Sequence, residues 1–131
     1  MTFSDAVRSG FAKYAIFGGR ARRSEFWWFT VFVFLAQAVL GVVDTALFGV
    51  GPDATRLLNP IFTLAVLLPS LALSVRRLHD IGRTGWWVLI YLVPVIGFLL
   101  LAWWFAQPGE PEANRFGPPP PDAPPPPPRP A

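Results

Sequence analysis

The chain has 131 residues, of which 53% are hydrophobic, 15% charged and 15% aromatic, with a formal net charge of +3 and a mean hydropathy of +0.43. A soluble domain of this length is about 25% charged and buries only about two-thirds of the surface its unfolded chain exposes, so the composition excludes a water-soluble fold and points to the lipid bilayer as solvent. The absence of cysteine excludes disulfides, thiolate metal sites and cysteine nucleophiles together.

Residues 1–25 carry Arg8, Lys13, Arg20, Arg22 and Arg23 and read as a basic segment held on the cytoplasmic side. Gly18 and Gly19 permit a turn, Ser24 is placed to cap a helix, and Glu25 in its first turn complements the positive end of the helix dipole. An apolar run follows from Phe26 to about Val50, long enough to cross the roughly 30 Å hydrocarbon layer, which takes about 20 residues. Within it Gln37 is expected to bond to a neighbouring helix. Asp44 is a candidate ion or proton site or an interfacial carboxylate, since polar groups in a span turn toward protein or water. A cleaved signal peptide is the rival reading, because Ala36-Gln37-Ala38 resembles a cleavage site. The apolar run continues well past it.

A second run, Leu57 to Val75, contains Pro69, and a third, Trp86 to Ala106, contains Pro94; both prolines predict kinks. The three runs are apolar on nearly every face, which marks membrane helices rather than amphipathic core helices. All six tryptophans occur as pairs, Trp27-Trp28, Trp86-Trp87 and Trp103-Trp104, at the expected ends of spans, where indole rings favour the headgroup level. A continuous helix from Trp87 to Trp103 would be about 24 Å long.

Between the second and third runs lies Arg76-Arg77-Leu78-His79-Asp80-Ile81-Gly82-Arg83-Thr84-Gly85. If the helix continues past Val75, Arg76 and Asp80 stand at i and i+4 and predict an ion pair, with Gly82 suited to a left-handed cap and Thr84 to the next helix start. His79 and Asp80 diverge by about 100° on a helix and do not form an automatic acid–base pair. With one histidine in the chain and no nucleophile motif, phosphate-binding glycine loop or paired carboxylates, no catalytic, cofactor-binding or metal-ligating residue is identified.

Eight basic residues fall in the N-terminal flank and the 76–83 loop, against Arg56, Arg115 and Arg129 elsewhere, which predicts a cytoplasmic N-terminus and an external C-terminus. The same topology accounts for the positive charge without nucleic acid. Residues 108–131 contain twelve prolines in 24 positions and predict a disordered, extended polyproline tail.

Taken together, Gly19-Arg20-Ala21-Arg22-Arg23-Ser24-Glu25-Phe26-Trp27, Arg76-Arg77-Leu78-His79-Asp80 running to Gly85-Trp86-Trp87, and Asn114-Arg115-Phe116-Gly117-Pro118 resemble the bacterial inner-membrane family typified by YhaH and YhaI, domain of unknown function 805. The resemblance covers roughly residues 10 to 120 and implies a membrane location and fold, with no reaction, cofactor or catalytic residue. The polyproline run beyond Pro118 departs from the family's short ending. Three spans would also put the Asn114 motif on the side opposite the arginines, unless one apolar segment is re-entrant.

The expected fold is an all-α integral membrane protein with three transmembrane helices over 26–107, a basic segment over 1–25 and a Pro-rich tail over 108–131. The expected activity is non-enzymatic: Arg20, Arg22, Arg23, Arg76, Arg77, His79, Asp80 and Arg83 form a cytoplasmic face for anionic lipid headgroups or a partner protein, with a homo-oligomer or another membrane protein as partner. The alternative is a subunit of an oligomeric channel or transporter that uses Asp44 and Gln37.

Overall fold

A computed structural model describes residues 2–52 and 56–120. Helix α1 spans Phe3–Ala12, α2 Arg23–Phe48 and α3 Leu58–Asp80, followed by a 3-10 segment over Gly85–Leu92 and helix α4 over Ile96–Ala106. The proline run after residue 120, Arg129 and Asp53 lie outside the described residues.

Helices α2 and α3, with 26 and 23 residues, are about 39 and 35 Å long, enough to cross a bilayer. They form an antiparallel pair whose outer faces are apolar and uncovered: Phe34 is 66% and Leu64 71% exposed. A protein in water would bury such side chains, whereas acyl chains solvate them. Helix α2 begins at Arg23, with Arg22 rather than Ser24 at the cap position and no side-chain cap. Helix α3 tolerates Pro60 in its first turn, where the missing N–H has no intrahelical partner.

Pro69 lies inside α3 and cannot donate to the carbonyl of Ala65, four residues earlier. The hydroxyl of Tyr14 donates to that carbonyl instead, so the freed acceptor is satisfied from outside the helix. Tyr14 follows α1, a helix absent from the sequence expectation. A Thr2/Asp5 capping box opens α1, and Phe3 and Phe11 pack edge-on against Trp28 and Phe29 of α2.

At its far end α3 runs five residues beyond the expected limit at Val75 and closes as a Schellman cap. The Gly82 N–H donates to His79 O (3.0 Å) and the Arg83 N–H to Leu78 O (2.9 Å). Gly82 has φ +79, and a Cβ there would strike the Glu110 carboxylate. The left-handed cap expected from the spacing is present.

The third apolar segment does not form the expected single helix over 86–106. Val93 is extended (φ −92, ψ 105), the conformation that a following proline favours, and Val95 has φ +66, which a β-branched residue adopts only under strain. The chain therefore folds back on itself. The 3-10 limb and the 11-residue α4 are each about 16 Å long, half a hydrocarbon layer. Gly97 lets the limbs meet, because a Cβ there would strike the Ile90 carbonyl. The Trp87 and Trp104 rings stand 5.4 Å apart, where a straight helix would hold them more than 20 Å apart. Both ends of the hairpin thus lie at the arginine-bearing end of the helix pair.

The core also collects at that end. Phe26, Phe29, Leu73, Leu78, Leu101, Trp104 and Phe105 form one buried cluster, with the Phe26 and Phe105 rings 4.4 Å apart.

Candidate functional site

Directly against this core lies a buried cluster of charge. Asp80, in the last turn of α3, accepts from Arg20 Nε (2.9 Å) through one carboxylate oxygen and from Arg77 Nη1 (2.6 Å) through the other. Arg20 is 6% and Arg77 0% exposed. A carboxylate between two guanidiniums is the arrangement that compensates removal of these groups from water. The expected Arg76–Asp80 pair is not formed. Arg76 turns to Glu25 at the start of α2 (3.2 Å), and Ser9 of α1 donates to the same carboxylate oxygen (2.8 Å). The i+3 spacing of Arg77 and Asp80 puts that pair on the face toward Arg20, which explains the exchange.

Other arginine donors hold backbone. The last carbonyls of α4 have no intrahelical partners and carry the negative end of its dipole. Arg77 Nε donates to Phe105 O (3.1 Å) and its Nη2 to Gln107 O. Arg23 Nη1 donates to Ala106 O (3.0 Å) and Trp27 Nε1 to Phe105 O (3.2 Å). Arg20 reaches further along, to Glu112 O (2.8 Å) and Glu110 O, while the Glu110 N–H donates to Asp80 O (2.7 Å). Three arginines therefore bind the end of α4 and the segment after it to α2 and α3.

His79 faces away from Asp80, as the helical geometry requires. Its Nδ1 is 2.9 Å from Gly19 O, and since a carbonyl only accepts, Nδ1 carries the proton. The ring stacks on Phe116 at 4.0 Å between centroids and 4° between planes, Asn114 Nδ2 donates to His79 O (2.9 Å), and Arg115 lies over the other ring at 4.7 Å. Asn114 and Gly117 close a small bridge through paired backbone bonds of 3.0 Å. The Asn114 motif thus packs on the arginine cluster, the arrangement that three full spans would forbid.

Of the residues expected to present a binding face, Arg20, Arg76, Arg77 and Asp80 are buried in contact with protein. Arg23 and Arg83 are exposed and Arg22 is partly so, with Arg83 lying over the Trp104 ring at 4.2 Å. Sequence reasoning missed Glu25 as an ion-pair partner and Tyr14 as a backbone donor. The signal for Tyr14 was the lone carbonyl that Pro69 implies.

Of the intramembrane polar residues, Asp44 lies at the opposite end of the helix pair and Gln37 midway along α2. Asp44 is fully buried and accepts from the backbone N–H groups of Leu58 and Asn59 (both 2.9 Å). It caps the first turn of α3 from the neighbouring helix, in place of the missing local cap at Leu57. Gln37 Nε2 donates to Thr63 Oγ1 (3.2 Å), and Asn59 Nδ2 donates to Gln37 O (3.1 Å). Both residues join α2 to α3.

Residues 14–118 match the family described as Protein of unknown function (DUF805). The chain belongs to the DUF805 family. The matched stretch opens at Tyr14, the donor to Ala65, and closes just after the Asn114–Gly117 bridge, so it contains the whole arginine network except Ser9. The chain is 41% identical to Inner membrane protein YhaH of Escherichia coli K12 over 105 residues, 80% of this chain and 87% of that protein. It is 41% identical to Inner membrane protein YhaI of the same strain over 104 residues, 79% and 85% of the two chains. Uncharacterized protein YiiR is 34% identical over 94 residues, 71% of this chain and 59% of that protein. No solved structure matches. Like YhaH and YhaI, the chain is a bacterial inner membrane protein with helical spans.

Proposed function

We propose that this protein is a small non-enzymatic component of the inner membrane whose cytoplasmic face binds anionic phospholipid. In the proposed topology α2 and α3 cross the bilayer, and the hairpin over 85–106 enters from the cytoplasmic side and returns to it. The N-terminal flank, the 76–83 turn and residues 107–117 then share one compartment. Arg115 joins the basic side, leaving Arg56 as the only described cation on the other, which strengthens the cytoplasmic assignment.

The observation that carries the lipid reading is the division of labour among the cations. The buried arginines and Arg23 are used internally, while Arg8 and Arg115 stay exposed at the same end, beside the partly buried Lys13. Cations at this level attract anionic headgroups, each contributing about 1 kcal/mol near the surface. Replacing Arg8, Lys13 and Arg115 by glutamine is expected to reduce the phosphatidylglycerol and cardiolipin that co-purify with the protein, while insertion and monodispersity persist. Unchanged anionic lipid would remove the proposal.

The channel alternative draws no support from Asp44, whose carboxylate oxygens are occupied by the N-terminus of α3.

A further inference from the structure

Beside the arginine cluster lies a groove of about 400 Å³ lined by Ile81, Arg83, Trp103, Trp104, Gln107 and the 108–111 segment, Glu110 included. Its volume is within the range of small-molecule sites, about 300–1,000 Å³. The groove carries one charge of each sign, and among the described residues the ion pairs Arg20–Asp80, Arg77–Asp80 and Arg76–Glu25 involve neither Arg83 nor Glu110. The Arg83 guanidinium carbon lies 4.2 Å from the centroid of the Trp104 ring, a cation–π contact that holds it beside the groove. The Glu110 carboxylate is set against Gly82, where a Cβ would strike it. Its own backbone is held by Asp80 and Arg20.

We infer that this groove binds the headgroup of phosphatidylethanolamine, with Arg83 on the phosphate and Glu110 on the ammonium. A guanidinium matches phosphate oxygens, and a carboxylate accepts from an ammonium N–H. A wholly anionic headgroup meets the repulsion of Glu110, and a trimethylated amine offers no N–H to it. The occupant is a lipid rather than a free phosphoethanolamine because the groove opens at the polar end of α4, whose apolar Phe98, Leu99 and Trp103 are exposed where acyl chains would run. The inference rests on the membrane-embedded arrangement proposed above, and it is independent of the anionic-lipid contacts.

The test is native mass spectrometry of the detergent-purified full chain, equilibrated with equimolar phosphatidylethanolamine, phosphatidylglycerol and phosphatidylcholine. Wild type is expected to retain phosphatidylethanolamine about three- to fivefold over the other two, the scale of one exposed charge contact. Glu110→Gln keeps the backbone carbonyl that Arg20 holds and is expected to equalise phosphatidylethanolamine and phosphatidylglycerol. Arg83→Gln is expected to lower both. Trp103→Ala, which changes no charge at an exposed site, is expected to lower retention of phosphatidylethanolamine and serves as the check if a charge variant fails to fold. Equal retention by wild type, or a preference that survives Glu110→Gln, overturns the inference, as does displacement of the lipid by water-soluble phosphoethanolamine. The glutamine variant of Arg8, Lys13 and Arg115 is expected to keep the phosphatidylethanolamine preference, so failure of one proposal is distinguishable from failure of the other.

Discussion

Arg20 and Asp80 are 60 residues apart in sequence and 2.9 Å apart in space, and the contact fastens the segment before α2 to the last turn of α3. Because Asp80 also holds Arg77, removing the carboxylate strands two buried guanidiniums. Breaking a buried pair from one side costs about 3–5 kcal/mol. Asp80→Asn is therefore expected to lower the thermal midpoint sharply and to release the 108–117 segment to proteolysis. Arg8→Gln, at an exposed position, is expected to change stability by no more than about 0.5 kcal/mol. Thermal melts in one detergent compare the two.

Tyr14 and Pro69 form a testable couple. Tyr14→Phe leaves the Ala65 carbonyl without a donor and is expected to destabilise by about 1 kcal/mol. Pro69→Ala restores the N–H that the helix lacks. In that background Tyr14→Phe is expected to be nearly neutral, so a double-mutant cycle should return a coupling of similar size.

Asp44 caps the first turn of α3. Asp44→Asn keeps one acceptor but turns an amide toward the Asn59 N–H, so it is expected to lower the thermal midpoint by several degrees. Asp44→Ala should lower it further. Proton or cation flux across protein-loaded liposomes is expected to stay at the background level in wild type and both variants.

The capping box of α1 gives a pH dependence. Hydrogen bonds from the Thr2 side chain and backbone hold the Asp5 carboxyl below its usual value of 3.8. A carboxylate with a lowered folded-state pKa contributes stability that is fully present above the unfolded value and is lost as the pH falls through the folded one. Amide exchange in α1 is expected to accelerate as pH falls below about 4, after correction for intrinsic rates. In Asp5→Asn that step should be absent.

The two long helices were legible because a bilayer demands length and apolarity, and both are written directly in the chain. The Gly82 cap was legible from local spacing alone. The hairpin was not, since its 21 apolar residues satisfy the length rule for a span; the fold-back comes from Val93 and Val95 around Pro94 and from the approach allowed at Gly97. The arginines were recognised as a cluster, but their role depends on contacts between distant segments. Arg77 reading the end of α4 and Arg20 reading the 110–112 backbone follow no sequence period. Charge at a membrane boundary looks alike whether it faces lipid or folds inward, and only the tertiary arrangement separates Arg20 and Arg77 from Arg8 and Arg115.

In the proposed topology the segment carrying Asn114 returns to the side of the N-terminal arginines. The chain has no cysteine, so single substitutions Ser4→Cys, Pro52→Cys and Ala113→Cys, all at exposed positions, report sidedness through a membrane-impermeant maleimide. In intact spheroplasts Pro52→Cys is expected to label, while Ser4→Cys and Ala113→Cys label only after the membrane is opened. Labelling of Ala113→Cys together with Pro52→Cys in intact cells would contradict the hairpin and restore a third span.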